Sequence, residues 1–260
     1  MIDMKNKYLN YILITIAMGF WSLSFIQVEF LLNVKNVSPV VIVFGRLLLA
    51  AIILNSLSLF RKERFSIDSK SLRVIALMAF CEPFMYFLGE SFALKYINSS
   101  VASIIIATIP LFLPFFSYAF FKEKVKINQI IGTIISFAGV LFIIIEKDLT
   151  FKYSIKGLLL LMLAVFSAIG YAQFSRLVDK NVKPLDIVRF QNIFSTVYFL
   201  PIFLFYNVKS GWSVNYLDMQ VFVNILILAL LPSSIAFIIY NHSFRILGVN
   251  TTNLFSNLIQ

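Results

Sequence analysis

Residues 219–241 read MQVFVNILILALLPSSIAFIIYN, a run of 23 positions without a charged side chain. A helix needs about 20 apolar residues to cross the hydrocarbon layer of a bilayer, so this run predicts a membrane span. Seven similar runs precede it, at 9–30, 39–60, 72–94, 99–121, 127–145, 156–176 and 186–206. A ninth begins near Asn250 and is cut off at Gln260. We therefore predict an all-α integral membrane protein.

The composition of the whole chain favours lipid as its solvent. Of the 260 residues, 60% are hydrophobic and 13% are charged, and the mean hydropathy is +0.90. Soluble domains are usually about 45–50% apolar and about 25% charged. The net charge of +10 comes from Lys and Arg placed between the apolar runs, where they act as topology signals and contact lipid headgroups. We predict the lipid bilayer and a small molecule as partners, and no nucleic acid.

The sequence offers little for metal binding or covalent catalysis. It contains one cysteine, Cys81, and one histidine, His242, which cannot together build a His/Cys metal site. The GxSxG, HExxH and P-loop patterns do not occur in it. We predict no cofactor, no metal and no enzymatic activity.

The distribution of Lys and Arg predicts the orientation of the chain. With the N-terminus in the cytoplasm, the regions on the inside hold 14 of these residues and those on the outside hold six. Cytoplasmic loops of membrane proteins carry the excess of Lys and Arg. The loop 146–156, with three lysines on the outside, is the one exception. The count favours a cytoplasmic N-terminus.

Short segments recur in the same order along the chain, which indicates an internal repeat. Residues 35–39, KNVSP, are echoed by residues 180–184, KNVKP, at an offset of 145. Residues 97–100, INSS, are echoed by residues 249–252, VNTT, at an offset of 152. Each match occupies the same place relative to its span, so a duplicated multi-helix unit explains them together.

The repeat predicts the domain organisation. Residues 1–148 would form a first unit of five helices, and 149–260 a second, incomplete one. Because five is odd, the second unit enters the membrane from the opposite side, which makes the repeat inverted. Residues 110–148 of the first unit have no counterpart within the 260 residues. We therefore expect a fragment of a ten-helix architecture, truncated after the start of helix nine.

An ordered set of residues suggests a family. The set consists of Gly19-Phe20-Trp21-Ser22, Ser38-Pro39 followed by Arg46, Pro110, Phe121-Lys122-Glu123-Lys124, Gly132 and Gly139. In this order the residues resemble the EamA-type branch of the drug/metabolite transporter superfamily. The resemblance implies an inner (cytoplasmic) membrane carrier with two five-helix repeats that moves amino acids, amines or other metabolites. We expect an exporter that works by alternating access, and a homodimer is left open.

Glu82 is the deepest ionisable residue in the predicted spans. It lies about ten residues into its span, near the midplane, where an ionisable group costs about 2.5–3.5 kcal/mol to insert. Pro83 follows it, and Pro232 interrupts span eight at a similar place, with Pro110 as a third predicted helix break. Matching interrupted spans in two halves point to a transporter's central site. Glu82 is either a proton- or cation-binding carboxylate or a neutral acid bonded to a carbonyl freed beside Pro83.

Arg46 and Glu90 lie at similar depths in neighbouring spans. They could form an ion pair that offsets much of their burial cost, and a purely structural pair is as good an explanation as substrate recognition. The aromatic and amide candidates for lining a cavity are Trp21, Tyr86, Tyr171, Gln173 and Tyr240. Aromatic faces with a polar tip suit organic amines, although Trp and Tyr near interfaces are usually belt residues.

Three functions remain open from the sequence. A secondary carrier of small organic metabolites, proton-coupled through Glu82, uses the inverted repeat and the interrupted spans. A membrane enzyme acting on a lipid would need a polar catalytic cluster at one interface, and the sequence contains no such cluster. A non-transporting membrane subunit would have no use for two mirrored gates.

Overall fold

The computed structural model describes residues 4–60, 67–123, 127, 130–132, 134–135, 138–139, 154–210 and 218–259. Within these residues the regular structure is helical, without a strand. The helices are α1 Met4–Asn33, α2 Pro39–Phe60, α3 Ser69–Ala79, α4 Tyr86–Ala93, α5 Ser99–Ile106, α6 Ile109–Phe121, α7 Ile155–Ser175, α8 Pro184–Ser210, α9 Met219–Leu230, α10 Phe237–Leu247 and α11 Val249–Leu254. A 3-10 turn, Phe255–Ile259, follows α11.

Seven helical stretches in the described part are long and apolar enough to cross a membrane. They are Tyr8–Asn33, Pro39–Ser58, Ser69–Ala93, Ser99–Phe121, Ile155–Ser175, Pro184–Lys209 and Met219–Leu247. The all-helical membrane fold predicted from the sequence is therefore confirmed. The predicted fifth span, 127–145, and the predicted boundary at residue 148 lie largely outside the described residues.

Polar caps fix where several spans begin. Asp68 accepts hydrogen bonds from the backbone N–H groups of residues 70 and 71, both at 3.1 Å, and starts α3. Asn98 accepts one from Val101 N at 3.0 Å and starts α5, while Asp218 accepts one from Gln220 N at 2.8 Å and starts α9. These side chains satisfy N–H groups that the first helical turn leaves without partners.

Two spans are broken near their middles. Residues Phe80–Met85 join α3 to α4, and residues Leu231–Ala236 join α9 to α10, each through a wide π-type turn that contains a proline. At Glu82 the backbone is extended, with φ −143° and ψ 124°, and the Glu82–Pro83 peptide bond is cis. Proline cannot donate the backbone hydrogen bond that would continue a helix, which explains both interruptions. A third span is divided at residues 107–108, and Pro110 lies in the first turn of α6.

Helices from the two halves of the chain pack against one another. Helix α2 packs along α8, and α4 packs along α7. At Gly89 the backbones of α4 and α7 approach so closely that a Cβ atom would lie 2.5 Å from Leu160 O. Small residues permit such close approach between membrane helices. The remaining space between α1, α4, α7 and α10 encloses the central cavity described below.

Contacts between helix ends identify which ends share a membrane face. Lys35, after α1, forms an ion pair with Asp218, before α9, at 2.9 Å. At the other face Arg176, after α7, forms an ion pair with Glu123, after α6, and donates to Asn250 of α11 at 3.0 Å. The described spans therefore alternate in direction, as the short loops between them require.

Candidate functional site

A central cavity lies between the broken spans and α1. Its volume is about 30 Å³, which is space for one or two water molecules and less than the roughly 300–1,000 Å³ of an open small-molecule site. Apolar atoms form most of its surface, and Phe25, Phe87 and Ile109 contribute to it. The polar side chains that line it are Trp21, Ser24, Glu82, Tyr86, Glu90, Tyr240 and Ser256. No Lys, Arg or His occurs in this lining, as far as the chain is described.

Two carboxyl groups give the central cavity its acidic character. Glu82 is only 7% exposed, and the extended backbone of the first break sets its position. Glu90 lies about two turns further on in α4 and is 1% exposed. In the described part of the chain, Oε2 of Glu90 has no hydrogen-bond partner. A buried acceptor without a partner is costly. This oxygen is therefore suited either to accept a hydrogen bond from a ligand or to bind a proton.

Trp21 and Tyr240 form an aromatic corner of the central cavity. Their ring centroids lie 4.9 Å apart in an edge-to-face arrangement. Nε1 of Trp21 donates to the carbonyl of Pro232 at 3.1 Å, which joins α1 to the second break. The hydroxyl of Tyr240 donates to Oδ1 of Asn253 at 2.8 Å. Hydrogen bonds hold both rings at their polar tips, and both rings line the central cavity.

Arg46 lies outside the central cavity, behind the ring of Phe87. Its side chain is fully buried, and its guanidinium carbon lies 3.8 Å from the Phe87 centroid. Nε donates to the hydroxyl of Ser233 at 2.9 Å. The two Nη atoms have no partner, and Arg46 and Glu90 form no ion pair within 4.0 Å, in the part that the structure describes. The direct pair considered from the sequence is thus not formed here, because Arg46 is turned towards the second break.

Comparison with known proteins decides the family. The chain matches the EamA-like transporter family over residues 9–145 and 155–259. It belongs to that family. This confirms the resemblance drawn from the sequence.

Relatives of this EamA chain carry names that give no substrate. It is 24% identical over 217 residues to an uncharacterized transporter of Archaeoglobus fulgidus, which covers 83% of this chain and 75% of the relative. It is 31% identical over 154 residues to the uncharacterized transporter YcxC of Bacillus subtilis, covering 59% of this chain and 49% of the relative. An uncharacterized transporter encoded in the trpA 3′ region of Buchnera aphidicola is 27% identical over 203 residues, covering 76% and 65%. The chain thus spans about half to three quarters of these relatives' lengths.

Two predicted site residues of the EamA chain lie beside the central cavity and not in its lining. Tyr171 is fully buried, donates to Oε1 of Gln191 at 3.0 Å and accepts from Nδ2 of Asn241 at 2.6 Å. Gln173 donates to the hydroxyl of Ser117 at 3.0 Å, near one membrane face. Tyr171 follows Ala168, the α7 residue of the lining, by about one helical turn, and its ring stacks on that of Tyr240 with the centroids 6.4 Å apart, so it supports the lining from outside.

The sequence analysis missed several residues of this EamA site. Ser24 and Ser256 line the central cavity, and Ser233 holds Arg46. Serines are frequent in membrane helices, so nothing in the sequence distinguishes these from packing residues. Gln191 and Asn241 could have been found, because neutral amides inside apolar runs also require partners.

Proposed function

We propose that this EamA chain is a secondary carrier for small metabolites that bear a protonated amino group, such as amines and amino acids. The observation that supports it is the lining of the central cavity. Glu82 and Glu90 supply negative charge, and Trp21 and Tyr240 supply aromatic faces, which attract cations. Among the described lining residues there is no cation to compete with the ligand or to attract an anion.

The proposed transport mechanism is alternating access between two inverted five-helix repeats, divided near residue 148. The two proline breaks support it, because Pro83 and Pro232 occupy similar places in their spans. The contacts are also reciprocal. Helix α2 of the first half binds the second break through Arg46 and Ser233, while α8 of the second half binds the first break, where Ser195 donates to Ala79 O at 2.9 Å. Two mirrored units around a shared site can exchange conformations and so move its opening from one face to the other.

Proton coupling through Glu82 is the second part of the proposal. A carboxyl group in a nearly closed apolar cavity binds either a proton or a cationic ligand, but not both at once. Competition of this kind drives the exchange of protons for an amine, and export is the direction that an inward proton gradient supports. The inner-membrane location and the cytoplasmic N-terminus rest on the Lys and Arg count and the family, and the homodimer stays a prediction.

Purified protein in proteoliposomes tests the proposal. We would measure uptake of a panel of radiolabelled amino acids and of the quaternary amine choline, with and without a pH gradient. We expect at least one of these probes to accumulate in response to the gradient, and Glu82→Gln to abolish the response. Glu29→Gln is the matched control, because Glu29 lies near a membrane face and accepts a bond from Ser99 N at 3.2 Å.

The outcomes separate the parts of the proposal. If Glu82→Gln keeps a gradient-dependent flux, proton coupling through this residue is rejected. If the protein moves only anions, the amine specificity is wrong. If no probe is bound or moved and a lipid is chemically changed or a partner protein is retained, the enzyme or the non-transporting subunit replaces the carrier.

A further inference from the structure

A second cavity, which we call the basic pocket, opens at one membrane face. Its volume is about 430 Å³, and it lies between the end of α7, the start of α8, the end of α10 and the start of α11. Arg176, Lys180 and Arg245 line it, and the described lining contains no Asp or Glu. The contacts of Arg176 place the pocket at the same face as Glu123, which the Lys and Arg count assigns to the cytoplasm.

The basic pocket has a rigid frame. Arg245 donates to the carbonyls of Lys180 and Val182, which ties the turn between α7 and α8 to α10. Arg176 forms the ion pair with Glu123 and donates to Asn250, which ties α7 to α11. The two guanidinium groups are therefore held by bonds within the protein, so a ligand that binds them need not order them first.

The positive charge of the basic pocket is only partly compensated. Glu123 neutralises Arg176, but Arg245 donates to neutral carbonyls. The ammonium group of Lys180 has no bonded partner in the part of the chain that the structure describes. Asp179, next to Lys180 in the sequence, accepts a bond from Asn181 N at 2.8 Å and acts electrostatically on Arg245, but it is absent from the lining. An anion entering this space would therefore meet two cationic groups without bonded carboxylates.

The other walls of the basic pocket are apolar. They come from Val178, Ile187, Phe244 and Val249, and the floor ends at Asn241. The ring of Phe244 stands 4.3 Å from that of Tyr240, which lines the central cavity. Aromatic rings thus separate the two cavities. The basic pocket is a distinct cavity with cationic residues in its lining and apolar walls.

We propose that the basic pocket binds the phosphate group of an anionic ligand. Phosphate oxygens accept hydrogen bonds from Lys and Arg, and basic pockets between membrane helices at the cytoplasmic side suit anionic headgroups. The volume exceeds that of a single phosphate ion, and the apolar walls fit a hydrocarbon group attached to it. The phosphate belongs either to a phospholipid headgroup or to a soluble phosphate ester.

Two binding arms distinguish these sources. In the first, native mass spectrometry compares how much phosphatidylglycerol and how much phosphatidylcholine the purified protein retains. In the second, a thermal-shift titration uses glycerol 3-phosphate in detergent without added lipid. The variant is Lys180→Gln, since the side chain is exposed and its loss leaves the frame intact. Lys95→Gln, an exposed lysine near the opposite face, is the matched control.

We expect the wild type to bind the anionic probe in one arm, and Lys180→Gln to weaken that binding about fivefold, the usual effect of one basic residue near an anionic surface. Lys180→Arg should restore the binding, and Lys95→Gln should not alter it. Phosphatidylglycerol selectivity identifies a lipid, and a shift with glycerol 3-phosphate identifies a soluble ester. Equal retention of both lipids together with no thermal shift, or equal losses for the two glutamine variants, would overturn the proposal. Neither result depends on transport, so the carrier proposal is tested separately.

Discussion

Replacing Gly89 by alanine tests the close packing of α4 against α7. An added Cβ atom would lie 2.5 Å from Leu160 O, 3.1 Å from Ala164 N and 3.3 Å from Ala164 Cβ. Carbon and carbonyl oxygen normally approach to about 3.3–3.6 Å, so the two helices must separate by roughly 1 Å. Backbone atoms cannot rotate away as a flexible side chain can, and overpacking of this kind costs about 1–3 kcal/mol.

Alanine also stabilises a helix relative to glycine, and this gain has to be subtracted from the cost of overpacking. Within a helix it is about 0.5–1 kcal/mol better than glycine. The net expectation for Gly89→Ala is therefore a loss of up to about 2.5 kcal/mol in the free energy of unfolding. The assay is reversible unfolding in mixed micelles of sodium dodecyl sulfate and dodecyl maltoside, followed by circular dichroism.

Gly19 provides the matched control, because a Cβ atom there would meet nothing within 4 Å. Gly19→Ala should leave stability unchanged or raise it by up to about 1 kcal/mol. Glu90 directly follows Gly89, so the displaced helix should also lower substrate affinity in the Gly89 variant alone. Equal stabilities for the two variants would refute the claim that α4 and α7 touch at their backbones.

Three further changes have defined outcomes. Ser233→Ala removes the acceptor of Nε of the buried Arg46 and should cost about 1.5–3 kcal/mol in the same unfolding assay, with Ser233→Thr close to the wild type. Tyr171→Phe leaves two buried amide side chains without the hydroxyl they share and should cost about 1–3 kcal/mol, which the same titration measures. The hydrogen bond from Lys35 holds the pKa of Asp218 below its usual 3.8. The wild type should therefore exceed Asp218→Asn in stability above pH 3.8 and lose that advantage as the pH falls through the lowered pKa, as unfolding across a pH series would show.

The spans were predictable because lipid selects for long apolar helices, which hydropathy alone reveals. Their ends were less predictable. The last described span continues to Leu247, six residues beyond the predicted end at 241, although it includes His242 and Arg245. Arg245 is accommodated because it binds two backbone carbonyls of the neighbouring turn. A hydropathy scale counts a charged residue against a membrane span. The sequence does not show which hydrogen-bond acceptors will lie beside that residue in the folded protein.

The lining of the central cavity was predictable in its residue types and less so in its arrangement. Carboxyl groups and aromatic rings inside apolar runs need a reason to be there, and this led to Glu82, Glu90 and Trp21. The direction in which Arg46 points depends on the rotation of α2 about its axis, which the packing of all its neighbours determines. Its acceptor, Ser233, lies 187 positions away in the sequence. No local pattern carries that information.

The broken spans leave backbone carbonyls to which lipid cannot donate hydrogen bonds. At each break, a helix from the other half of the chain supplies the donor. Nε1 of Trp21, on α1, binds Pro232 O in the second break, and the hydroxyl of Ser195, on α8, binds Ala79 O beside the first break. An unsatisfied carbonyl in the bilayer costs several kcal/mol. Apolar surfaces can slide past one another at little cost, but these directional bonds must be exchanged for others whenever the halves move. If the proposed alternating access operates, the barrier between the two open states should therefore lie in the hydrogen bonds at the breaks, close to the central cavity.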